Sequence, residues 1–318
     1  KNTIPDYEGG FTTKKTLFFG WTWNNVVRRE PTDFAFNNIN SSQDLAWLIS
    51  LVNGFNEQTK NALSSETITQ TTDILDLDRY IWVPVGSEKA STANFAGTFD
   101  GCGHLIRGLI VRYIGLGDNR YEYNNYGMFG KTNGATINRT FVVDGLLEPN
   151  NKGNMGGLVG MMCGSVSKIS NSEAAVVINC DSVQQTASNA VGGLVGFLID
   201  GEIHSSMAMP VITDSLGFVG GLVGTATDPE SNQHMGVKLL NSFSNAKFIV
   251  GKDIHAGGLM GNNIFAAVEN CYSAFNKSGR GTVASLIHNN SGTIKRSYGQ
   301  QGESFYVYNF GEDSHVEE

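Results

Sequence analysis

Four aspartates in the first third of the chain are candidates for metal chemistry, because calcium prefers converging oxygen ligands. They are Asp73, Asp76, Asp78 and Asp100. Their spacing matches neither an EF-hand loop nor the nonapeptide repeat of RTX proteins. We therefore expect turn carboxylates that accept ordinary hydrogen bonds, and we predict no metal site.

The histidines and cysteines also lack the spacing of metal ligands. None of the six histidines pairs with another histidine or a cysteine in this way. We expect His104, in the word FDGCGH, to support a turn. Four cysteines without a CxxC pair do not make a disulfide framework in a chain of 318 residues. All four are therefore predicted to be free: Cys102, Cys163, Cys180 and Cys271.

Aromatic residues near the start of the chain could stack on sugar rings, since their flat apolar faces suit such contacts. The candidates for ligand binding are Trp21, Trp23, Tyr121, Tyr123 and Tyr126. The alternative is that these side chains cover the N-terminal end of a hydrophobic core. Both interpretations stay open at this point.

The composition excludes several classes of function. Only 16% of residues are charged, the net charge is −8, and polarity comes largely from uncharged side chains, including 31 Asn. Broad binding to nucleic acid or to anionic membranes needs a positive face, so both are disfavoured. No run of about eighteen apolar residues occurs, and we expect no transmembrane helix. We also expect no cofactor and a monomeric chain.

A repeated five-residue word decides the fold prediction. GGLVG ends at Gly160, Gly196 and Gly224, and variants of it end at Gly130, Gly261 and His288. Paired glycines argue against a helix, because glycine costs about 1 kcal/mol in a helix interior. The intervals range from 27 to 37 residues, and those of 27 and 28 residues are too short for propeller blades of four strands. The word LxxLxLxxN of leucine-rich repeats is absent.

A second word follows each first word and reads apolar, any residue, Asn/Ser/Arg, small, bulky, small. Units of this size cannot bury themselves alone, but stacked units can. We therefore predict an all-β fold, a parallel β-helix over residues 65 to 300, and right-handed crossovers favour the right-handed form. One internal ladder would contain Met128, Leu158, Leu194, Leu222, Leu259 and Leu286. A second would contain Ile137, Ile169, Ile203, Leu239, Val268 and Ile294.

One helix is predicted at residues 43–53. Ser41 and Asp44 have capping-box spacing, apolar residues follow with helical period, and Asn53-Gly54 would supply a left-handed stop. We expect this helix to cover the open end of the core. The predicted organisation is residues 1–40 as extra strands or an arm, 41–310 as helix and solenoid, and 311–318 as an acidic tail.

The repeat words together resemble the GLUG motif of bacterial surface and secreted proteins. The lead-in of that family is also similar to SSQDLAWLISLVNG (41–54), TDILDLDRYIWVPVG (72–86) and FAGTFDGCGHLIRGLIV (95–111). The resemblance covers about residues 41–300. It implies a β-helical, adhesin-like module of Bacteroidetes type on the cell exterior. Such repeats also accompany metallopeptidase domains in immunoglobulin A peptidases, but this chain contains no HExxH word.

Three functions stay open. We favour a non-enzymatic extracellular or cell-surface module that binds a glycan or a surface protein through its faces or loops. The second is a carbohydrate-active lyase or hydrolase, which would need carboxylates clustered on one coil face. The third is an inert spacer within a larger surface protein. The repeat words carry Asn, Ser and Thr where such an enzyme needs acids, so we predict no catalytic residue.

Overall fold

The chain folds into a parallel β-helix of stacked coils. The computed structural model describes residues 38–53, 63, 65–77, 81–87, 93–112, 124–149, 153–180, 190–213, 217–227, 236–251, 255–300 and 308–309. These residues form four sheets, and every strand pair within them is parallel. The predicted solenoid is confirmed, while its right-handedness stays a prediction.

Sheets A and B run the length of the stack and are joined by a tight corner in each coil. Sheet A contains β1 (Asn38–Ile39), β2 (Thr67–Gln70), β4 (Thr98–Asp100), β9 (Thr136–Asn138), β13 (Lys168–Ser170), β17 (Gly201–His204), β22 (Val237–Leu240), β26 (Ala267–Glu269) and β30 (Thr293–Lys295). Sheet B contains β3 (Ile74–Asp76), β5 (Leu105–Arg107), β6 (Ile110–Arg112), β10 (Phe141–Glu148), β14 (Glu173–Asn179), β18 (Met207–Ala208), β19 (Val211–Thr213), β23 (Phe243–Val250), β27 (Tyr272–Gly279) and β31 (Tyr298–Gly299).

Sheets D and C follow sheet B in each coil, and the GGLVG word forms the corner between them. Sheet D contains β7 (Asn125–Tyr126), β11 (Asn154–Gly156), β15 (Ala190–Gly192), β20 (Phe218–Gly220), β24 (His255–Gly257) and β28 (Thr282–Ala284). Sheet C contains β8 (Phe129–Asn133), β12 (Val159–Cys163), β16 (Val195–Leu198), β21 (Val223–Thr227), β25 (Met260–Ile264), β29 (Ile287–Asn290) and β32 (Tyr308–Asn309). Coils 1 to 8 begin at β2, β4, β9, β13, β17, β22, β26 and β30.

Helix α1 (Ser42–Val52) covers the first coil, as predicted. The Ser41 hydroxyl accepts a hydrogen bond from the Asp44 backbone N–H (3.2 Å), and the Asp44 carboxylate accepts from that hydroxyl and from the Asn40 N–H. At the other end the Asn53 side chain bonds Pro84 and the Gly86 N–H. The Asn53 backbone is right-handed, and Gly54 lies outside the described residues, so the left-handed stop predicted for Asn53-Gly54 stays a prediction. The helix is thus fastened across the first coil, and its apolar residues join the core.

Both predicted ladders are buried. Every member of the Leu and Ile ladders is at most 4% exposed. Backbone bonds join the Leu ladder directly: the N–H of Leu194 donates to Leu222, and that of Leu222 donates to Leu259. Ile68 and Phe99 extend the Ile ladder into coils 1 and 2 through the register of sheet A. The core therefore consists of the same residue position repeated coil after coil.

The three glycines of the GGLVG word are required by close backbone contact. A Cβ on the first glycine, at Gly192, would lie 2.6 Å from the Gly224 N of the next coil. One on the last glycine, at Gly224, would lie 2.4 Å from the Val191 N. A Cβ on the middle glycine, Gly193, would lie 2.3 Å from the Gly221 oxygen. The backbones of sheets C and D therefore touch, and no side chain fits between them.

The remaining predictions about the fold have mixed outcomes. All four cysteines are free, as expected. Strand β1 pairs with β2, so the end of the predicted N-terminal segment adds one strand to the stack. Residues 1–37, Gly54 and the predicted tail at 311–318 lie outside the described residues. Among those described, no helix has the length and apolar character that crossing a bilayer requires.

Shortening one ladder member should cost much more than shortening a surface leucine. Leu222→Ala should lower the free energy of unfolding by roughly 2–5 kcal/mol, because it leaves a cavity in the middle of the core. Leu240→Ala, on the outer face of sheet A, is the matched control and should cost under about 1 kcal/mol. Chemical denaturation measures both. A cost for Leu222→Ala below about 1 kcal/mol would show that the ladder is misassigned.

Adding one methyl group to the GGLVG corner should also destabilise the fold. Gly224→Ala should cost roughly 1–3 kcal/mol or more, because the new Cβ overlaps three backbone atoms that cannot rotate away. Gly103→Ala is the control: its Cβ meets nothing within 4 Å, although its φ of +80° favours glycine. Equal melting temperatures for Gly224→Ala and the unmodified chain would contradict this account of the word.

Candidate functional site

The corner between sheets A and B sets the height of each sheet B strand. Its first residue adopts a left-handed φ of 46–54° in six successive coils. The six are Arg139, Asn171, Ser205, Asn241, Asn270 and Arg296. Asparagine tolerates this conformation better than most residues, which explains its frequency in the second word. Sheet B therefore starts at the same place in every one of these coils.

A column of buried small polar side chains locks that corner to its neighbours. The hydroxyl of Ser172 donates to the Ser170 carbonyl (2.8 Å) and accepts from the Thr140 N–H (3.2 Å) of the preceding coil. The same pair of hydrogen bonds recurs at Ser206, Ser242 and Ser297, and Thr140 and Cys271 occupy the equivalent positions of coils 3 and 7. At Cys271 a thiol takes the hydroxyl's place, and burial raises its pKa to about 12. This position requires a small side chain, as expected. It also requires a group that can hydrogen-bond both within its own coil and to the adjacent coil.

This fixed start lines up the first outward residue of every sheet B strand. In coils 3 to 8 the residue that follows the buried small polar side chain points away from the core. It pairs in register with the equivalent residues of the neighbouring coils. The resulting outer column contains Ile74, Leu105, Phe141, Glu173, Met207, Phe243, Tyr272 and Tyr298. Seven of the eight members are apolar or aromatic, although all are partly or largely exposed. Their alignment makes an apolar stripe along the whole stack.

Neighbouring outward positions widen this stripe in the middle coils. Val143 and Ala175 lie beside it, and Met209 follows in the next coil. Leu146, Val177 and Val211 form a further outward column. Val177 and Met209 are each more than a third exposed. We define the outer face of sheet B as these outward positions from coil 1 to coil 8. An exposed apolar face of this extent is more often an interaction surface than a surface that stays in contact with water.

The outer face of sheet A has the opposite character. Its two outward columns carry mostly Thr, Lys, Glu, Asp, Asn and Ser. Charges there are paired: Lys238 donates to Glu202 (2.7 Å), and Arg139 donates twice to Asp100 (3.0 and 2.5 Å). The same stack therefore presents one polar face and, next to it, a face whose first outward column is apolar and whose ion pairs, Arg107 with Asp76 and Arg112 with Glu148, lie in its first three coils. Burial of the core does not require this difference, because both sets of residues point outward.

The rings in coils 6 and 7 pack against each other along the helix axis. Phe243 and Tyr272 are stacked with centroids 5.5 Å apart and an angle of 4° between their planes. A ring stacked in this way uses its face for its neighbour and turns an edge outward. Tyr298 continues the column in coil 8, and it is 46% exposed. This end of the stripe therefore offers ring edges and hydroxyl groups.

Glu173 is the one acid in the outer column. It lies between Phe141 and Met207 in the register of sheet B, and burial raises the pKa of its carboxyl. On the outer face of sheet A, the pKa of Glu202 is shifted in the opposite direction. The hydrogen bond from Lys238 is the largest effect there and holds the Glu202 pKa below its usual value. The pKa values of the two carboxylates are therefore shifted in opposite directions by the different surroundings of the two faces.

Of the five predicted sugar-stacking residues, the structure describes Tyr126. Tyr126 lies in β7 and is fully buried in the core, so its ring is not available to a ligand. For this residue the alternative, a role in the core, applies. Trp21, Trp23, Tyr121 and Tyr123 lie outside the described residues. The prediction that they bind a ligand stays a prediction.

The aspartates proposed as alternative calcium ligands have protein partners. Arg107 pairs with Asp76 (2.6 Å). Burial tends to raise the Asp100 pKa, but hydrogen bonds from Arg139 and from the Cys102 N–H outweigh it and lower that pKa. Asp73 lies 3.6 Å from the His104 ring, and the His104 backbone N–H closes a turn onto Gly101. Asp78 lies outside the described residues.

Sequence reasoning missed the outer column, although its signal was present. The second word contains one position described only as bulky. That position holds Phe141, Glu173, Met207, Phe243, Tyr272 and Tyr298 in coils 3 to 8. A bulky residue between two small ones alternates in the manner of a strand with one outward side chain. Assigning the bulky position to the outside would have identified the stripe.

Comparisons with known proteins agree with the fold. No protein-family model and no curated protein matches the chain. A solved structure of a candidate immunoglobulin A1 protease from Bacteroides ovatus is similar, with a TM-score of 0.59 and 14% sequence identity. The match covers 88% of this chain and 80% of that one. At this identity the likeness shows a shared β-rich architecture, and the GLUG resemblance stays a prediction.

Replacing the two carboxylates should change stability in opposite directions. At neutral pH, Glu173→Gln should stabilise the fold and Glu202→Gln should destabilise it. The raised pKa of Glu173 means that the folded chain gains stability when this group is protonated. That gain disappears as pH rises from the unfolded value of 4.5 through the folded one. Glu202 contributes stability above pH 4.5 that is lost as pH falls through its lowered pKa.

Denaturation midpoints at pH 7 and pH 3 test both substitutions. The stabilising effect of Glu173→Gln should shrink at pH 3, where the native carboxyl is protonated. The destabilising effect of Glu202→Gln should shrink only as the pH falls through the lowered pKa of Glu202, where its carboxyl ceases to bond Lys238 as an anion. Changes of the same sign at pH 7 would contradict the contrast between the faces.

Proposed function

We propose that this chain is a non-enzymatic, adhesin-like module on the exterior of a bacterial cell. It binds a partner through the outer face of sheet B. The observation that carries this proposal is the apolar outer column, which extends through eight coils beside a polar face. Apolar side chains aligned at the surface are stabilised when a partner removes them from water.

The architecture suits this function because a long flat face can hold an elongated partner. Each coil places the residue at a given position of the repeat word on the same face, about 4.8 Å from its equivalent in the next coil. A single position in the repeat word therefore determines the chemical character of the whole face. The likeness to a Bacteroides structure supports an extracellular β-helix protein of that type. A glycan or a surface protein is the class of partner expected from the sequence.

The proposal is tested by combining a binding screen with a degradation screen. The full chain is applied to a glycan array and to bacterial and host cells, and it is incubated with a polysaccharide panel. Binding without release of reducing ends is expected. Tyr272→Lys should weaken binding at least about tenfold, because it places a charge in the apolar stripe.

Thr136→Lys, on the outer face of sheet A, is the matched control and should bind as the unmodified chain does. Release of reducing ends from any polysaccharide would overturn the proposal in favour of a carbohydrate-active enzyme. A folded chain that binds nothing and degrades nothing would instead support the inert spacer.

A further inference from the structure

We infer that the partner on the outer face of sheet B is a second copy of this chain, packed face to face with its coils in the reverse order. The inference rests on the proposed function, because it names the partner of the same face. It departs from the monomer expected in the sequence analysis. Three features of the face support it: its size, the order of its side chains and the position of its charges.

The outer face of sheet B is large enough for a stable dimer. Eight coils at the spacing of β-strands give a length of about 34 Å, and strands of up to eight residues give a width of about 25 Å. The face therefore offers on the order of 800 Å² per copy, which is the size of a standard protein interface. Two sheets can pack in this way at about 10 Å with interdigitated side chains.

The outer column is self-complementary when its direction is reversed. A two-fold axis between coils 4 and 5 places coil 3 opposite coil 6 and coil 4 opposite coil 5. Phe141 of one copy then faces Phe243 of the other, and Leu105 faces Tyr272. Glu173 faces Met207, so the two acids do not meet. Each apolar residue of the column therefore meets another apolar residue, except at that one position.

One pair of charges on the face is complementary in the same arrangement, while Arg107 with Asp76 and Arg112 with Glu148 already pair within the chain. Coil 3 carries Asp144 at the bulge of β10, and coil 6 carries the exposed Lys247 on β23. Reversal places Lys247 opposite Leu146, two residues after Asp144, so each Lys247 comes near the Asp144 of the other copy, once on each side of the two-fold axis. A parallel arrangement would instead place each coil against its own copy and leave Lys247 of coil 6 away from Asp144 of coil 3. Electrostatics therefore favours the reversed order.

The stacked rings favour a protein partner over a sugar. The faces of Phe243 and Tyr272 are turned toward each other, with 4° between their planes. Sugar binding by aromatic stacking needs ring faces turned outward. Ring edges instead fit between the side chains of an opposing sheet. A second copy supplies such a sheet with a matching order of residues.

Intermolecular cross-linking tests the arrangement directly. In a background with Cys102→Ser and Cys163→Ser, the double variant Phe141→Cys and Phe243→Cys should form a disulfide-linked dimer of twice 34.3 kDa. These positions are three coils apart within one chain, about 14 Å, so they cannot bond intramolecularly. Each single variant is the matched control and should stay largely unlinked, because its cysteine faces phenylalanine.

Sedimentation of the full chain with its native cysteines measures the affinity. Phe243→Lys should weaken the dimer at least about tenfold, and Thr136→Lys on sheet A should leave it unchanged. Glu173→Met should strengthen it about tenfold, because a buried acid is replaced by an apolar contact to Met207. A stronger dimer without larger aggregates does not result from misfolding, so this variant keeps the test decisive if Phe243→Lys fails to fold.

A chain that stays monomeric at high concentration would overturn the inference, as would a cross-link that forms equally in the single variants. If such a monomer still binds a glycan or a different protein, and Tyr272→Lys abolishes that binding, the proposed function stands and only the self-association fails. If no face variant affects any binding, both fail.

Discussion

Contact between the backbones of sheets C and D is the constraint on which the rest of this β-helix depends. Gly192 and Gly224 lie so close to the neighbouring coil that a methyl group would overlap its backbone. With no side chain between the sheets, Leu194 and Leu222 point into the core from a corner of fixed shape. The coils therefore stack at one height and in one register. Insertions occur between the sheets, where they do not disturb this contact.

The corner between sheets A and B is a second fixed point in each coil, and it aligns the outward residues of sheet B. The buried hydroxyls of Ser172 and Ser206 bond within their own coil and to the adjacent one. They hold the left-handed corner after sheet A, so every sheet B strand starts in the same position. One residue type repeated in the sequence thus becomes one chemical stripe on the protein. In such a fold each outward column sets the chemistry of one stripe of the surface, and its residue types can vary independently of the core residues.

The two outer faces show what this independence allows. Sheet A carries ion pairs such as that of Lys238 with Glu202, which keep the face in water. Sheet B carries hydrophobic side chains that gain from contact with a partner. Glu173 interrupts the stripe of sheet B, and burial raises the pKa of its carboxyl.

The sequence by itself determined the coil, the helix that caps it and the residues of the core. Leu222 and Ile203 were predictable because a word repeated around paired glycines allows one backbone path and one inward side chain per word. The outer column was not predicted, and of the two interpretations left open for Tyr126 the structure shows burial in the core. Whether a bulky residue such as Phe243 points in or out depends on the corner before it, and the hydroxyl bonds that shape this corner join residues from different coils. Only the tertiary structure sets which residues of successive coils share a column, because register between coils arises from hydrogen bonds between segments about thirty residues apart.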